Sequence, residues 1–447
     1  MPGEPFSDPV AAPNLDAFRK ANFSMERCIS NYPLCSPYRG ILMTGLWPYQ
    51  NGITHNWLEL GTSFESIGDA FDKAGYRTAY VGKWHLSGVM FDADFIPPGP
   101  HRQGFQDWHV WAHVNKHMNY SYTFDQNTGA VIHPMGYQAT LMTDQAVRII
   151  HEDHGDKPWM MIVSWHPPHF PVNDAPAQDE AYFADKPVAL RPNVETGHGE
   201  HGAVTSTETI SKFYQGYYAH IRAIDREFGR LLKALDDTGQ ADNTIVIFTS
   251  DHGEMAGSHG RMYKQVPFEE SVRVPFFVRC PGVTPKGGSS DTLFASIDIY
   301  RTVCGLAGVP VGPQIKGKDY SATLRGGVTP ESEVAFLMNQ GRTTPGSAAS
   351  GQHVPAISPG HANGGGYRPP DFRGLRSRTH TYAVASDGRW LLFDNVNDPY
   401  QKHNLIDDLS QKARTDHYNT LIEGWLKEAS DPFDFRACLT QRSTAPA

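Results

Sequence analysis

The chain is 447 residues long, with 39% hydrophobic and 19% charged residues, enough for a large core plus a smaller unit. Its formal net charge of −9 lacks the basic footprint of a general nucleic-acid binder, although a local cation cluster can still hold an anion inside an acidic protein. No apolar run approaches the ~20 residues that cross a bilayer, so neither nucleic acid nor membrane is an expected partner. The opening Met1-Pro2-Gly3-Glu4-Pro5 has neither a basic n-region nor an apolar h-region. The compartment therefore stays open: cytoplasmic as written, periplasmic or secreted if the true start lies further upstream. Cys28, Cys35, Cys280, Cys304 and Cys438 are odd in number and lack CxxC spacing, which argues against a disulfide framework.

In chain order, Thr62 to Ala74 reads as an amphipathic helix with Phe64, Ile67, Ala70, Phe71 and Ala74 on one stripe, followed by a strand at Thr78–Val81. Tyr137 to Ile150 is helical, and Trp159 to Ser164 is a strand. A long helix from Thr207 to Leu235 precedes an almost wholly apolar strand, Thr244 to Thr249. Apolar strands between helices predict a doubly wound, mostly parallel α/β sheet with its site at the strands' carboxyl ends. Gly and Pro from Gly341 to Pro370 mark a surface loop, and His380–Ala385 with Arg389–Phe393 read as a hairpin turning at Asp387-Gly388. A last helix spans about Ser410 to Ala429. The expected organisation is a catalytic domain over residues 1–324 and a smaller α+β domain over 325–447, with antiparallel strands and a final helix.

Cys35-Ser36-Pro37-Tyr38-Arg39-Gly40-Ile41-Leu42-Met43-Thr44-Gly45 is the most informative stretch. Pro37 suits a helix's first turn and Gly45 its end. Cys35 then sits at a helix N-terminus, where free N–H groups favour negative charge, with Arg39 one turn on along the same face. C-x-P-x-R alone is equally compatible with a buried structural cysteine; the Thr-Gly that follows at the right distance tips the reading towards chemistry. Gly82-Lys83-Trp84-His85-Leu86 closes the Thr78 strand, and Lys83 and His85, two apart, face one side of extended chain. Pro167-Pro168-His169 follows the Trp159 strand, with His166 beside it. Ser250-Asp251-His252-Gly253-Glu254 follows the most apolar strand, a good place for a carboxylate and an imidazole to hold a divalent cation.

These segments, in this order, resemble the type I, formylglycine-dependent sulfatase family of the alkaline-phosphatase superfamily. The resemblance covers nearly the whole chain. It implies that a maturation enzyme oxidises Cys35 to formylglycine, whose hydrate attacks sulfur with one hydroxyl and expels sulfate with the other. It implies that Lys83 and His85 bind sulfate and the nucleophile's oxygens, and that His169 is the general acid. Asp251 and His252 inherit calcium binding, and Lys264, after Gly257-Ser258-His259-Gly260, resembles a second sulfate-binding lysine. Glu270 and Arg273 read as structural, and His198 and His201 as solvated. Trp390 to Asp394, Asn397-Asp398-Pro399-Tyr400 and Asn404-Leu405 resemble the family's closing motif. The implied partner is a sulfated small molecule or glycan; Trp47, Trp57, Trp108 and Trp111 are candidate sugar-stacking faces.

One departure stands out. The family opens with an apolar strand ending in an acidic pair. Here Ala12-Pro13-Asn14-Leu15-Asp16 matches the helix that follows it, but Met1 to Val10 holds neither strand nor pair, and Asp8 stands alone. The expectation is a sheet short of a central strand, a weakened metal site, and a truncated or mis-started reading frame. Three alternatives stay open: a phosphonate or phosphate ester hydrolase of the same superfamily, an inactive sulfatase-like binding protein, and a hydrolase using the Cys35 thiol itself.

Overall fold

The computed structural model describes residues 10–89, 95–111, 116–119, 123–196, 206–330, 332–341 and 369–445. His198, His201, Asp8 and most of the Gly341–Pro370 stretch lie outside them. The described strands are β1 (Phe23–Ile29), β2 (Arg77–Lys83), β3 (Asp107–Trp111), β4 (Thr123–Phe124), β5 (Val131–Ile132), β6 (Trp159–Ser164), β7 (Val246–Thr249), β8 (Arg273–Val274), β9 (Phe276–Arg279), β10 (Ser289–Ala295), β11 (Val334–Asn339), β12 (Phe372–Ser377), β13 (His380–Ala385) and β14 (Gly388–Asp394).

β2 lies between β3 and β6, parallel to both. Its alternation explains why helices cover both faces. Ala79 and Val81 point to Met142 and Ile149 of the Gln138–His151 helix, whereas Tyr80 packs with Ile67, Phe71, Trp108 and Tyr300 on the other side. A second sheet runs β10-β1-β9-β7, with β8 also on β1. There β1 and β10 are parallel, but β8 and β9 run against β1. The α/β expectation holds, with a larger antiparallel share than the sequence pattern suggested.

The helix expected from Thr62 starts later, at Ile67, because Ser66 and Asp69 form a reciprocal cap, each side chain accepting the other's backbone N–H at 3.0 Å. Phe64 still packs on the core from outside the helix. The long helix runs Thr207–Asp237, and the last helix Lys412–Glu428 after a 3₁₀ turn. The Pro13–Ala21 helix forms where expected. Its free N-terminal donors are met by Asp225 of the long helix, which accepts from Leu15 N at 2.7 Å and Asn14 Nδ2 at 2.8 Å.

Between β6 and β7 no described strand intervenes, and the two do not pair with each other. Every residue of both is only half-buried despite the apolar sequence. Met161 of β6 and Val246 of β7 pack into one cluster with Leu231 and Leu235 of the long helix. The two sheets thus present their edges on the same supporting helix.

β11 to β14 form an antiparallel sheet in sequential order, and every residue of β12 and β13 is buried. The hairpin turns at Asp387-Gly388 as expected, with Gly388 at φ 146°, a conformation open to glycine. Tyr418, Ile422 and Trp425 of the last helix close the same core, which continues into Ile29, Tyr32 and Leu34 ahead of the Cys35 helix. Asn31 ties the two regions, donating to Phe336 O at 2.7 Å and accepting from Met338 N at 2.9 Å.

Candidate active site

The Cys35–Thr44 helix begins at Cys35 and ends at Gly45 in a left-handed conformation, φ 59°. The preceding Leu34 provides no side-chain cap, so the first N–H groups depend on partners from elsewhere. Asn56 Oδ1 accepts from Ser36 N at 2.9 Å, and Ser36 Oγ donates to His85 O at 2.6 Å. The second bond locks the Gly82–Leu86 segment beside the helix start. Cys35 is 1% exposed.

Around the Cys35 Sγ the sequence motifs converge. Lys83 Nζ donates to Cys35 Sγ at 3.6 Å, and His252 Nε2 lies 3.4 Å from it. His252 Nδ1 donates to Gly253 O at 2.9 Å, which turns the Nε2 lone pair towards Cys35 and towards Asp251 Oδ1, 3.8 Å away. Cys35, Asp251 and His252 offer ligand atoms all within 4.8 Å of one another. One carboxylate and one imidazole fit a divalent cation as two of its ligands. Calcium takes about 6–8 oxygens, so these side chains alone are a partial set.

Arg39 was expected to aim at the anion. Its guanidinium instead braces the site: Nη1 donates to Ser164 Oγ at 2.8 Å and Lys83 O at 3.0 Å, and Nη2 to Asp251 Oδ2 at 3.3 Å. It therefore spans the carboxyl end of β6 and the loop after β7, the two edges left unpaired. Ser30 Oγ adds a hydrogen bond to Asp251 O at 2.6 Å.

Lys264 is 7% exposed and ends a tight loop. Met255 N donates to Tyr263 O and Gly257 N to Arg261 O, both at 2.7 Å, and half-buried Glu254 accepts from Ala256 N at 3.1 Å. Ala256, His259, Tyr263 and Gln265 all have positive φ between 47° and 77°. Such backbone costs about 1–3 kcal/mol per residue and persists where surrounding packing over-determines it. Lys264 Nζ stands 5.7 Å from the Phe170 ring, and His169 packs on that ring at 4.2 Å. His169 thus borders the cluster through Phe170. Its Nδ1 donates to Phe170 O at 2.7 Å, leaving Nε2 as the atom that can carry a transferable proton.

The charges are unbalanced. Burial opposes ionisation of Asp251, yet His252, Arg39, Lys83 and Lys264 hold it well below the usual carboxylate range. Burial also opposes ionisation of Cys35, but Lys83, Lys264 and His252 outweigh it and bring the thiol down to about 5. Burial lowers Lys83 to about 8, with Arg39 and Lys264 adding to the effect and Cys35 opposing it. Arg39, Lys83 and Lys264 share one carboxylate in a buried place, an arrangement that favours an incoming anion.

Of the four tryptophans singled out in the sequence, Trp57 is the one against the site, its ring 4.7 Å from that of His85. Trp108 is fully buried, and Trp47 packs on Trp425. Glu270 accepts from Asn193 Nδ2, and Arg273 Nη2 donates to Glu26 O at 2.9 Å, so both serve the framework. Asn56, Ser30 and Ser164 were not foreseen. They sit in unremarkable sequence, and only their long-range contacts reveal them.

Fold and site together define an α/β protein with a buried, cation-rich cluster at the carboxyl ends of its strands. Comparison with protein families matches residues 5–309 to Sulfatase. The chain is 31% identical to an ulvan-active sulfatase of Formosa agariphila over 96% of its own length and 78% of that protein's. It is 30% identical to an endo-4-O-sulfatase of Bacteroides thetaiotaomicron, covering 97% and 88%. Among solved structures, a putative sulfatase from Bacteroides fragilis superposes with a TM-score of 0.82 at 25% identity, covering 96% and 93%. The chain belongs to the sulfatase family and is a sulfuric ester hydrolase.

Proposed function

We propose that this sulfatase, matured to formylglycine at Cys35, removes sulfate monoesters from a sulfated glycan with the help of a bound calcium ion. The observation that carries the reading is the buried excess of cations around Cys35 at the N-terminus of its helix. The names of two relatives, acting on ulvan and as an endo-4-O-sulfatase, favour a glycan. Position 35, as the hydrated aldehyde, supplies one hydroxyl to attack sulfur and a second whose deprotonation releases sulfate without water attacking sulfur. Lys83, His85 and Lys264 neutralise the sulfate oxygens as charge builds in the transition state. His169 donates its Nε2 proton to the leaving alcohol. Asp251 and His252 would hold the cation, whose chemistry when bound would be Lewis-acid stabilisation of negative charge on the sulfate. Arg39 keeps Asp251 and Lys83 in register. The catalytic unit in this reading is residues 1–324, with residues 325–447 closing one side.

The first test is the mass of the tryptic peptide Cys28 to Arg39, from protein made beside a formylglycine-generating enzyme. A species lighter than the thiol form, with aldehyde oxygen in place of sulfur, is the expected result. An unmodified Cys35 together with undiminished turnover overturns the reading in favour of a thiol nucleophile. Sulfated glycans should be turned over faster than an aryl phosphonate; the reverse order would favour the phosphonate hydrolase.

A further inference from the structure

Away from Cys35, a second buried cluster is built from residues far apart in the chain: His117, Asp174 after β6, and His220 in the long helix. Both imidazoles are 0% exposed. Each residue has its outer atom tied. His117 Nε2 donates to His169 O at 2.6 Å, and His220 Nδ1 shares a hydrogen bond with Tyr137 OH at 2.8 Å. Asp174 Oδ2 accepts from His117 N at 2.7 Å. One ligand-capable atom from each residue lies within 4.8 Å of the other two, and His117 Nδ1, His220 Nε2 and Asp174 Oδ1 make no hydrogen bond of good geometry.

We propose that His117, Asp174 and His220 bind a transition-metal ion of the zinc class. Tetrahedral zinc with bonds of ~2.0–2.2 Å sets neighbouring ligand atoms about 3.3–3.5 Å apart. His220 Nε2 and Asp174 Oδ1 already stand 3.4 Å apart. A nitrogen-rich set suits zinc and not calcium or magnesium, which favour oxygen. The outer hydrogen bonds are the kind that orient metal-bound imidazoles and fix their tautomers. The Asp174 side chain is 20% exposed, leaving a path for the ion and room for water as a fourth ligand. Bound there, the ion crosslinks the His117 segment, the loop carrying His169 and the long helix. It has a structural role, since His169 is held through its backbone carbonyl.

The test is the metal content of the full chain, stripped with chelator, loaded with zinc sulfate, desalted and measured by plasma mass spectrometry. About one zinc per chain should be retained and then lost in His220→Gln and Asp174→Asn, while Cys35→Ser, which disrupts the other cluster, keeps it. If His220→Gln does not fold, half-exposed Asp174→Asn carries the comparison. Cobalt-loaded protein should show the strong visible absorption of a four-coordinate site, absent in Asp174→Asn. Wild-type protein that retains no zinc, or zinc retained equally in His220→Gln and Asp174→Asn, overturns the proposal. A metal-free Tyr137–His220–Asp174 hydrogen-bond chain would then account for the cluster.

Discussion

Arg39 and Arg373 are both buried arginines, yet their surroundings differ in kind. Arg373 is met by two carboxylates: Nη2 donates to Asp431 Oδ1 at 3.0 Å and Nη1 to Asp371 Oδ1 at 2.6 Å. Two backbone carbonyls, Asn339 O and Phe372 O, take further donors, and the Phe433 ring covers the guanidinium at 4.7 Å. The cation there has carboxylates to spare, and the cluster joins β12 to the chain after the Lys412–Glu428 helix. Arg39 shares one carboxylate, Asp251, with Lys83 and Lys264 nearby. A buried cation with its carboxylates in place is framework, and a cluster left positive is a site awaiting an anion.

Substitutions can break or sharpen that contrast. Relative to the formylglycine form, Cys35→Ala should lower aryl sulfate turnover by at least about 10³-fold with an unchanged melting temperature, since it removes the nucleophile and leaves the Arg39–Asp251 pair in place. Asp431→Ala should do the opposite. It strands Arg373 in the core and costs about 3–5 kcal/mol in denaturant unfolding, with turnover per folded molecule retained. A small stability loss there would mean the Arg373 cluster is not the closed unit described.

Lys264→Ala should lower kcat/KM by about 10²-fold, the scale of one lost transition-state charge contact. Its melting temperature should hold or rise, because like-charge repulsion is relieved; a collapse in stability would make Lys264 framework and spoil the comparison. In the unmatured cysteine form, inorganic sulfate should bind more weakly as pH rises through about 8, where the Lys83 amine loses its proton and its charge. Isothermal titration across that window checks it, and Lys83→Arg should flatten the profile. The smallest effect belongs to Trp57→Ala. Loss of its packing on His85, about 0.5–1.5 kcal/mol, should cut kcat/KM a few-fold without affecting the Cys35 modification.

Much of this protein could be read from contiguous residues because the relevant physics is local. A helix that starts at Cys35 and stops at Gly45, apolar strands followed by Lys83 and by Asp251, and a hairpin at Asp387-Gly388 depend on caps, turns and alternation within a few residues. Those features located Cys35, Lys83, His252 and Asp251, which the fold then brings together. Local signals misplaced the start of the Ile67 helix, since the Ser66–Asp69 cap outweighed the apolar stripe. They also could not foresee that Arg39 would be engaged by Ser164 and Asp251. The apolar sequences of β6 and β7 promised full burial, but burial requires a neighbouring strand, and pairing is a property of the assembled sheet. The His117–Asp174–His220 cluster is the extreme case. Its members are ordinary residues in three separate segments, and only tertiary packing, by closing those segments on one another and turning three free ligand atoms inward, makes them a candidate metal site.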